Sequence, residues 1–297
     1  MATAERYQTR TLISQAQLQR RKGKIIYWIV LGTFVPTFAL IFVFPLYWMA
    51  TGGFKSAQEI IQDPPTWFPH GFHWHNYVEA WQQLRLSRLL VNTTIYAVGA
   101  LAFQLVFGVA AAYALSKLRP RFGNVILFMM LATLMIPATV LALPTFLTAF
   151  HMPIIGVNLT NSPWVIWLPS VANGFNIFLL KRFFDSIPDE LLMAASIDGA
   201  GPIRSLWSVV LPISRPILGV VSIFAVVAVW KDFLWPLLVL TDPTKQTVNV
   251  GLYQLSTGAA QNIFTAALVI ASLPMIIFFL IFQRNIMSGL TAGGVKG

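Results

Sequence analysis

Cysteine is absent from the chain. No disulfide, thiolate metal site or dithiol redox pair can form, and the compartment stays open. Charge is scarce too. Asp, Glu, Lys and Arg make up 10% of the residues, where soluble domains carry roughly 25%. Acids are the scarcer half, 10 against 20 Lys and Arg. There is no G-x-x-x-x-G-K-[ST] stretch, so the Gly-rich loop that cradles nucleotide phosphates is missing. Neither H-E-x-x-H nor G-x-S-x-G occurs, so no catalytic cluster of the zinc-hydrolase or serine-hydrolase kind is in evidence.

What replaces charge is apolar surface: 57% of the chain is hydrophobic. A membrane helix needs roughly 20 apolar residues. Six runs qualify, at about 25–50, 89–116, 124–149, 163–181, 216–240 and 263–283. Each contains Pro, Gly or a polar residue, which lipid tolerates only where neighbouring helices or a cavity satisfy the freed backbone groups. The expectation is an all-α integral membrane protein, its six spans packed around a pathway. The first run has a basic flank, but it is far longer than the 7–15-residue core of a cleaved signal. It reads as a retained span.

The net charge of +10 does not point to nucleic acid, because the cations sit in the short links between apolar runs. Counted by side, residues 1–24, the link at 117–123, the segment 181–215 and the tail hold fifteen Lys and Arg. The other side holds four: Lys55, Arg85, Arg88 and Lys245. The positive-inside rule then puts both termini in the cytoplasm. This divides the chain into a basic cytoplasmic segment 1–24, a membrane domain 25–283 and a cytoplasmic tail 284–297. The largest outer link, about 51–88, contains DPPTWFPHGFHWHNY, suited to an interfacial loop capped by a short helix. His70, His73 and His75 invite a metal reading, but Glu79 is the sole acid shortly after them, and no metal site is expected. Asn92 and Asn158 begin N-x-[ST] matches and read as polar groups at helix ends.

One inner link is unlike the others. The stretch 190–212 reads ELLMAASIDGAGPIRSLWSVVLP. Ser186-Ile187-Pro188-Asp189 has the form of a helix start, with a capping Ser, an early Pro and an acid. Leu191, Ala194, Ala195 and Asp198 then fall on one helical face, whose two alanines allow close backbone approach. Gly199 sits where a helix ends in a left-handed turn. Pro202 starts a second short helix running through Trp207, and Leu211-Pro212 stops it. A helical hairpin that docks a cytoplasmic partner fits this order better than a plain linker does.

The same residues resemble a known pattern. Permease subunits of binding-protein-dependent ABC importers carry E-A-A-x3-G-x9-I-x-L-P. Here Met193-Ala194-Ala195, Gly199, Val209 and Leu211-Pro212 keep that spacing. Met193 replaces the signature Glu, and Val209 replaces Ile. Glu190, three positions earlier, is the candidate to supply the missing carboxylate. Asn76-Tyr77, Asn92-Thr93, Trp230, Asp232-Phe233, Trp235-Pro236 and the tail GLTAGGVKG are similar to the carbohydrate branch, in particular the smaller permease of maltose-type systems.

The resemblance implies a type I importer permease fold and a transporter subunit, with no cofactor bound by this chain. It implies a second permease forming a heterodimer, a cytoplasmic ATPase dimer carrying ATP and Mg, and an extracytoplasmic solute-binding protein. The coupling loop would be 182–213, acting through Glu190, Met193, Ala194, Ala195, Asp198, Gly199, Ala200, Leu211 and Pro212. Lys231 and Asp232, inside the fifth run, are candidates for the pathway or the permease interface, because intramembrane charges usually face a wet interior or a partner. The competing reading is a stand-alone secondary transporter or channel. It would favour inverted repeats, and the two halves show no convincing one.

Overall fold

The computed structural model describes residues 21–83 and 85–294, with side chains from 22 to 283 apart from residue 84. Arg6, Arg10, Arg20 and Lys296, used in the charge count, lie outside the described residues. Every regular element among those described is helical.

Three helices are long and apolar enough to cross a membrane unbroken. They are α1 (Arg21–Gly52), α4 (Leu86–Tyr113, extended by a wide π turn at Ala114–Leu118) and α14 (Gln261–Gly294). Between α1 and α4 lie α2 (Ala57–Ile60) and α3 (His75–Gln83). The last helix runs past position 283, so the boundary expected there is not a break in the backbone.

The other three apolar runs are each divided, where the sequence suggested continuous spans. The third becomes α5 (Gly123–Thr133) and α6 (Ala138–Phe150), bent by 106° just ahead of Pro137 and Ala138. The fourth becomes α7 (Trp164–Val171) and α8 (Gly174–Asp185). The fifth becomes α11 (Arg215–Lys231) and α12 (Leu234–Val239), followed by α13 (Val248–Ser256).

Two of these divided runs carry a proline within a helix, Pro169 in α7 and Pro236 in α12. A proline in a helix cannot bond the carbonyl four residues back. Pro169 therefore frees the Val165 carbonyl, and the Trp235 indole N–H takes it at 2.9 Å. Pro236 frees the Asp232 carbonyl, and the Asn249 amide reaches both it (3.3 Å) and the Trp230 carbonyl (2.8 Å). The fifth run thus breaks at Asp232-Phe233, upstream of Pro236, where the proline ring meets the carbonyl four residues back. Away from water these substitute donors are needed, because an unmet backbone group in lipid costs several kcal/mol.

Helix α4 is the axis on which α7, α8 and α11 pack. Its small residues permit the approach: a methyl at Gly99 would overlap the Trp167 ring. Near the end of α4, Val109, Ala112, Leu180, Phe184, Ile187, Val210 and Val221 form one buried cluster. Near its start, Leu86 and Leu89 pack with Ala80, Val248, Ile263 and Ala266. Helix α1 packs only lightly, against α14, and no residue from Lys22 to Thr51 is buried.

The outer link folds as an aromatic and polar knot. Phe54 packs edge-on to Trp74 with ring centroids 4.7 Å apart. Asn76 donates to the Gly53 and Lys55 carbonyls and accepts from Asn262 at 2.9 Å, fastening the link to α14. Glu59 accepts from the His70 backbone N–H at 3.0 Å and lies 3.2 Å from its imidazole. His75 instead faces Glu79 at 3.8 Å, so the histidines are dispersed onto separate acids. Asn92 is committed to the Thr244 and Gln246 carbonyls at 3.0 and 3.1 Å, which accounts for it as a structural polar group.

Candidate functional site

The signature segment folds as a hairpin. Ser186 does not cap its first helix. Its hydroxyl turns back to the Phe183 carbonyl at 2.6 Å and closes α8 instead. Ile187, 4% exposed, inserts into the buried cluster beside Phe184 and Val210. Pro188 holds the N-cap position, and α9 (Asp189–Ile197) follows with Asp189 and Glu190 in its first turn.

The exit from α9 is a Schellman turn. The Gly199 N–H bonds the Ser196 carbonyl at 3.0 Å, and the Ala200 N–H bonds the Ala195 carbonyl at 2.9 Å. Gly199 sits at φ +80°, a conformation that L side chains resist. The second helix, α10, starts at Pro202 and does not stop at Leu211-Pro212. It widens into a π turn at Leu206–Val210 and ends at Ile213. The wide turn is how the chain accommodates Pro212: the Leu211 N–H bonds the Leu206 carbonyl, five residues back. An 84° bend then leads into α11.

The hairpin has two faces. Its inner face carries Ser205 and Val210, both buried against the bundle. Its outer face leaves Leu191, Met193, Ile197, Ile203 and Trp207 exposed, Ile197 at 87% and Ile203 at 76%. No residue of α9 is buried. Ala194 is exposed, while Ala195 and Ala200 are half-buried. Glu190 and Asp198 are exposed, and no ion pair among the described residues uses either. Leu211 is half-buried and Pro212 exposed. A projecting element with this much bare apolar surface is built to be covered.

A polar latch, absent from the sequence reading, holds the hairpin's base. Lys117, in the π turn ending α4, has a side chain 3% exposed; its ammonium lies 2.6 Å from the Ile187 carbonyl and 2.7 Å from the Asp189 carboxylate. Arg119 takes the other Asp189 oxygen at 2.9 Å. The hydrogen bond and charge of Lys117, with Arg119 adding, hold Asp189 below the usual carboxylate range. Ser116 and Lys181 occupy the two oxygens of Asp185 at 2.7 and 2.8 Å. On the far limb, the Tyr113 hydroxyl donates to the Pro202 carbonyl at 3.1 Å. These cations counted only toward topology in the sequence. Lys181 and Asp185 are an ordinary i,i+4 pair, but the partner of Lys117 and Arg119 lies about 70 positions away, and no local spacing announces it.

The second feature is a cavity of about 510 Å³ inside the bundle. Gln104, Thr145, Ser170, Asn173, Asp232 and Thr247 supply polar groups to a mostly apolar wall. Gln104 is fixed by the Ser170 carbonyl and by Asn176, each at 2.8 Å. The structure separates the two charges of the fifth run: Asp232 lines the cavity, whereas Lys231 is exposed and outside its wall. Adjacent helix positions point in different directions, and the break at Asp232 separates them further.

An all-helical, multi-pass membrane bundle with a polar-lined cavity and a tethered amphipathic hairpin defines a transport permease component. The chain belongs to the family described as binding-protein-dependent transport system inner membrane component, whose model matches residues 104–291. It is 34% identical, over 86% of its length and 89% of the relative's, to the sulfoquinovosyl glycerol transport system permease protein SmoH of Agrobacterium fabrum (strain C58). It is 29% identical, over 86% of its length and 84% of the relative's, to the diacetylchitobiose uptake system permease protein NgcG of Streptomyces coelicolor. The fold is similar to that of a chain in the crystal structure of a bacterial ABC transporter involved in import of the acidic polysaccharide alginate. The TM-score is 0.79 at 24% identity, covering 89% of this chain and 98% of that one. The chain is thus an inner-membrane, multi-pass permease subunit of an importer, and not an enzyme.

Proposed function

We propose that this permease forms half of a pathway for a saccharide or saccharide conjugate. It couples that pathway, through the hairpin 186–213, to an ATPase dimer carrying ATP and Mg. Its relatives, a sulfoquinovosyl glycerol permease and a diacetylchitobiose permease, support the solute class. The polar groups of the cavity, mostly amides and hydroxyls, suit a hydroxyl-rich solute. A second permease completes the pathway and an extracytoplasmic solute-binding protein delivers the solute. Both termini and the hairpin face the cytoplasm, as the excess of Lys and Arg on that side directs.

One observation carries the coupling role: the hairpin exposes Leu191, Met193, Ile197, Ile203 and Trp207 while its base is latched by Lys117 and Arg119. A rigid base with a bare apolar face transmits a push. Closure of the ATPases moves the hairpin, and the hairpin shifts the bundle between inward- and outward-open states. The drive is the difference in ATP affinity between those states. Ile197→Asp tests this in the reconstituted complex. The charge should release the ATPase from the membrane fraction while leaving the permease inserted. Normal ATPase retention and transport would refute the docking role.

A further inference from the structure

A polar cleft lies beside the latch and shares Ser116, Arg119, Lys181 and Asp185 with it. It has a volume of about 290 Å³ and is lined by Ser116, Arg119, Arg121, Asn124, Lys181 and Asp185, with Leu115, Pro120 and Gly123. We propose that this cleft binds the headgroup of an anionic phospholipid.

Charge is the first argument. Three cations and one carboxylate line the cleft. The carboxylate is spent, because Ser116 and Lys181 take both oxygens of Asp185. Arg119 gives one nitrogen to Asp189 and another to the Ser116 carbonyl, and it remains 67% exposed. Arg121 is exposed and takes part in no ion pair among the described residues. The surplus is positive and faces the cleft mouth. The first turn of α5 also borders the cleft: the Gly123 N–H is taken by the Pro120 carbonyl at 2.8 Å, which leaves the Asn124 N–H as the first without a carbonyl of its own helix.

Position is the second argument, and it selects a lipid over a soluble anion. The cleft lies where two apolar runs meet a basic link, at the edge of the bilayer. Helix α5 carries an exposed apolar face away from it: Phe122 just before the helix, then Val125, Ile126 and Met129. A headgroup phosphate in the cleft would lay its acyl chains along that face. Basic pockets between membrane helices at this level hold anionic headgroups in this way. A soluble phosphate would gain nothing from that apolar face, whereas a lipid gains contact along it.

The test uses the whole importer purified in detergent, supplied with phosphatidylglycerol or phosphatidylcholine and read by native mass spectrometry. Wild type should retain phosphatidylglycerol in preference to phosphatidylcholine. Arg121→Gln should weaken that retention roughly fivefold, the effect of one cation at a lipid surface, and Arg121→Glu should weaken it further. Lys245→Gln, in the outer link, should leave it unchanged. The unfolding temperature of the complex should rise with phosphatidylglycerol in wild type and less in the Arg121 variants. Equal retention of both lipids, or retention indifferent to Arg121, would overturn the proposal. Millimolar inorganic phosphate giving the same thermal protection as phosphatidylglycerol would also overturn it, by assigning the cleft to a soluble anion.

Discussion

Gly199→Val isolates the hairpin turn from everything around it. The residue sits at φ +80°, and a side chain there would meet nothing within 4 Å. The penalty is therefore backbone strain alone. An L residue in the left-handed region costs about 1–2 kcal/mol, and a β-branched one lies at the upper end. That corresponds to roughly a 5–30-fold fall in the closed-to-open ratio of the turn, which is the largest loss of closed turn it can cause. The two Schellman bonds from Gly199 and Ala200 would open together, moving Ala194 and Ala195 off their docking position. Insertion should survive, since no residue of α9 is buried in the bundle. The assay is the reconstituted complex, read for solute transport and for ATP hydrolysis stimulated by loaded binding protein. Transport should fall by up to that factor, and hydrolysis should lose its response to solute. Asn, which tolerates left-handed geometry, should lie between Gly and Val. Gly201 is the control: it is extended at φ −73°, ψ 173° with open space around it, so Gly201→Ala should be silent. Normal coupling in Gly199→Val, or equal damage from Gly201→Ala, would refute the reasoning.

Other expectations follow from the same geometry. Asp189→Asn should uncouple hydrolysis from transport, because it removes the charge that holds Lys117 and Arg119 and turns one of the two accepting oxygens into a donor. Its folded pKa is depressed, so the latch is present above the ordinary aspartate value and is lost only as pH falls through the lower folded value. Coupling by wild type should therefore be flat from about pH 5 to pH 8 as far as this latch is concerned, and a titration in that window would contradict the assignment. Asn249→Leu should lower the stability of the solubilised subunit by roughly 2–4 kcal/mol, since the Trp230 and Asp232 carbonyls lose their donor; an unchanged unfolding midpoint would count against it. Because the chain has no cysteine, a single cysteine at His70 should react with an impermeant label from outside intact cells and one at Gly201 should not. The reverse pattern would invert the topology.

Much of the hairpin was legible in the sequence because its determinants are local. Gly199 needs a left-handed residue, Pro202 needs a helix start, and nine residues separate the glycine from Val209; each is a short-range rule. What failed was also informative. Ser186 has the chemistry of an N-cap, yet its hydroxyl bonds backwards to Phe183, because Pro188 already sets the entry into α9. Leu211-Pro212 reads as a stop, but a π turn absorbs the proline. The breaks in the apolar runs were hidden because hydropathy averages over them. Their positions depend on donors such as Trp235 and Asn249, supplied from elsewhere in the chain. The latch was hidden for the same reason: Lys117 and Asp189 are 72 positions apart.

Cross-linking tests most directly whether the hairpin is the surface on which the ATPase docks. Single cysteines at Ile197 and Ile203 on the exposed face, and at Ile154 in the link after α6, would be placed in the cysteine-free chain and assembled with its ATPase. A short bifunctional thiol reagent with a partner cysteine on the ATPase surface should join Ile197→Cys and Ile203→Cys to the ATPase, with a yield that changes on ATP binding. Ile154→Cys should not join. Cross-linking from Ile154 with none from the hairpin, or hairpin yields indifferent to nucleotide, would contradict the account.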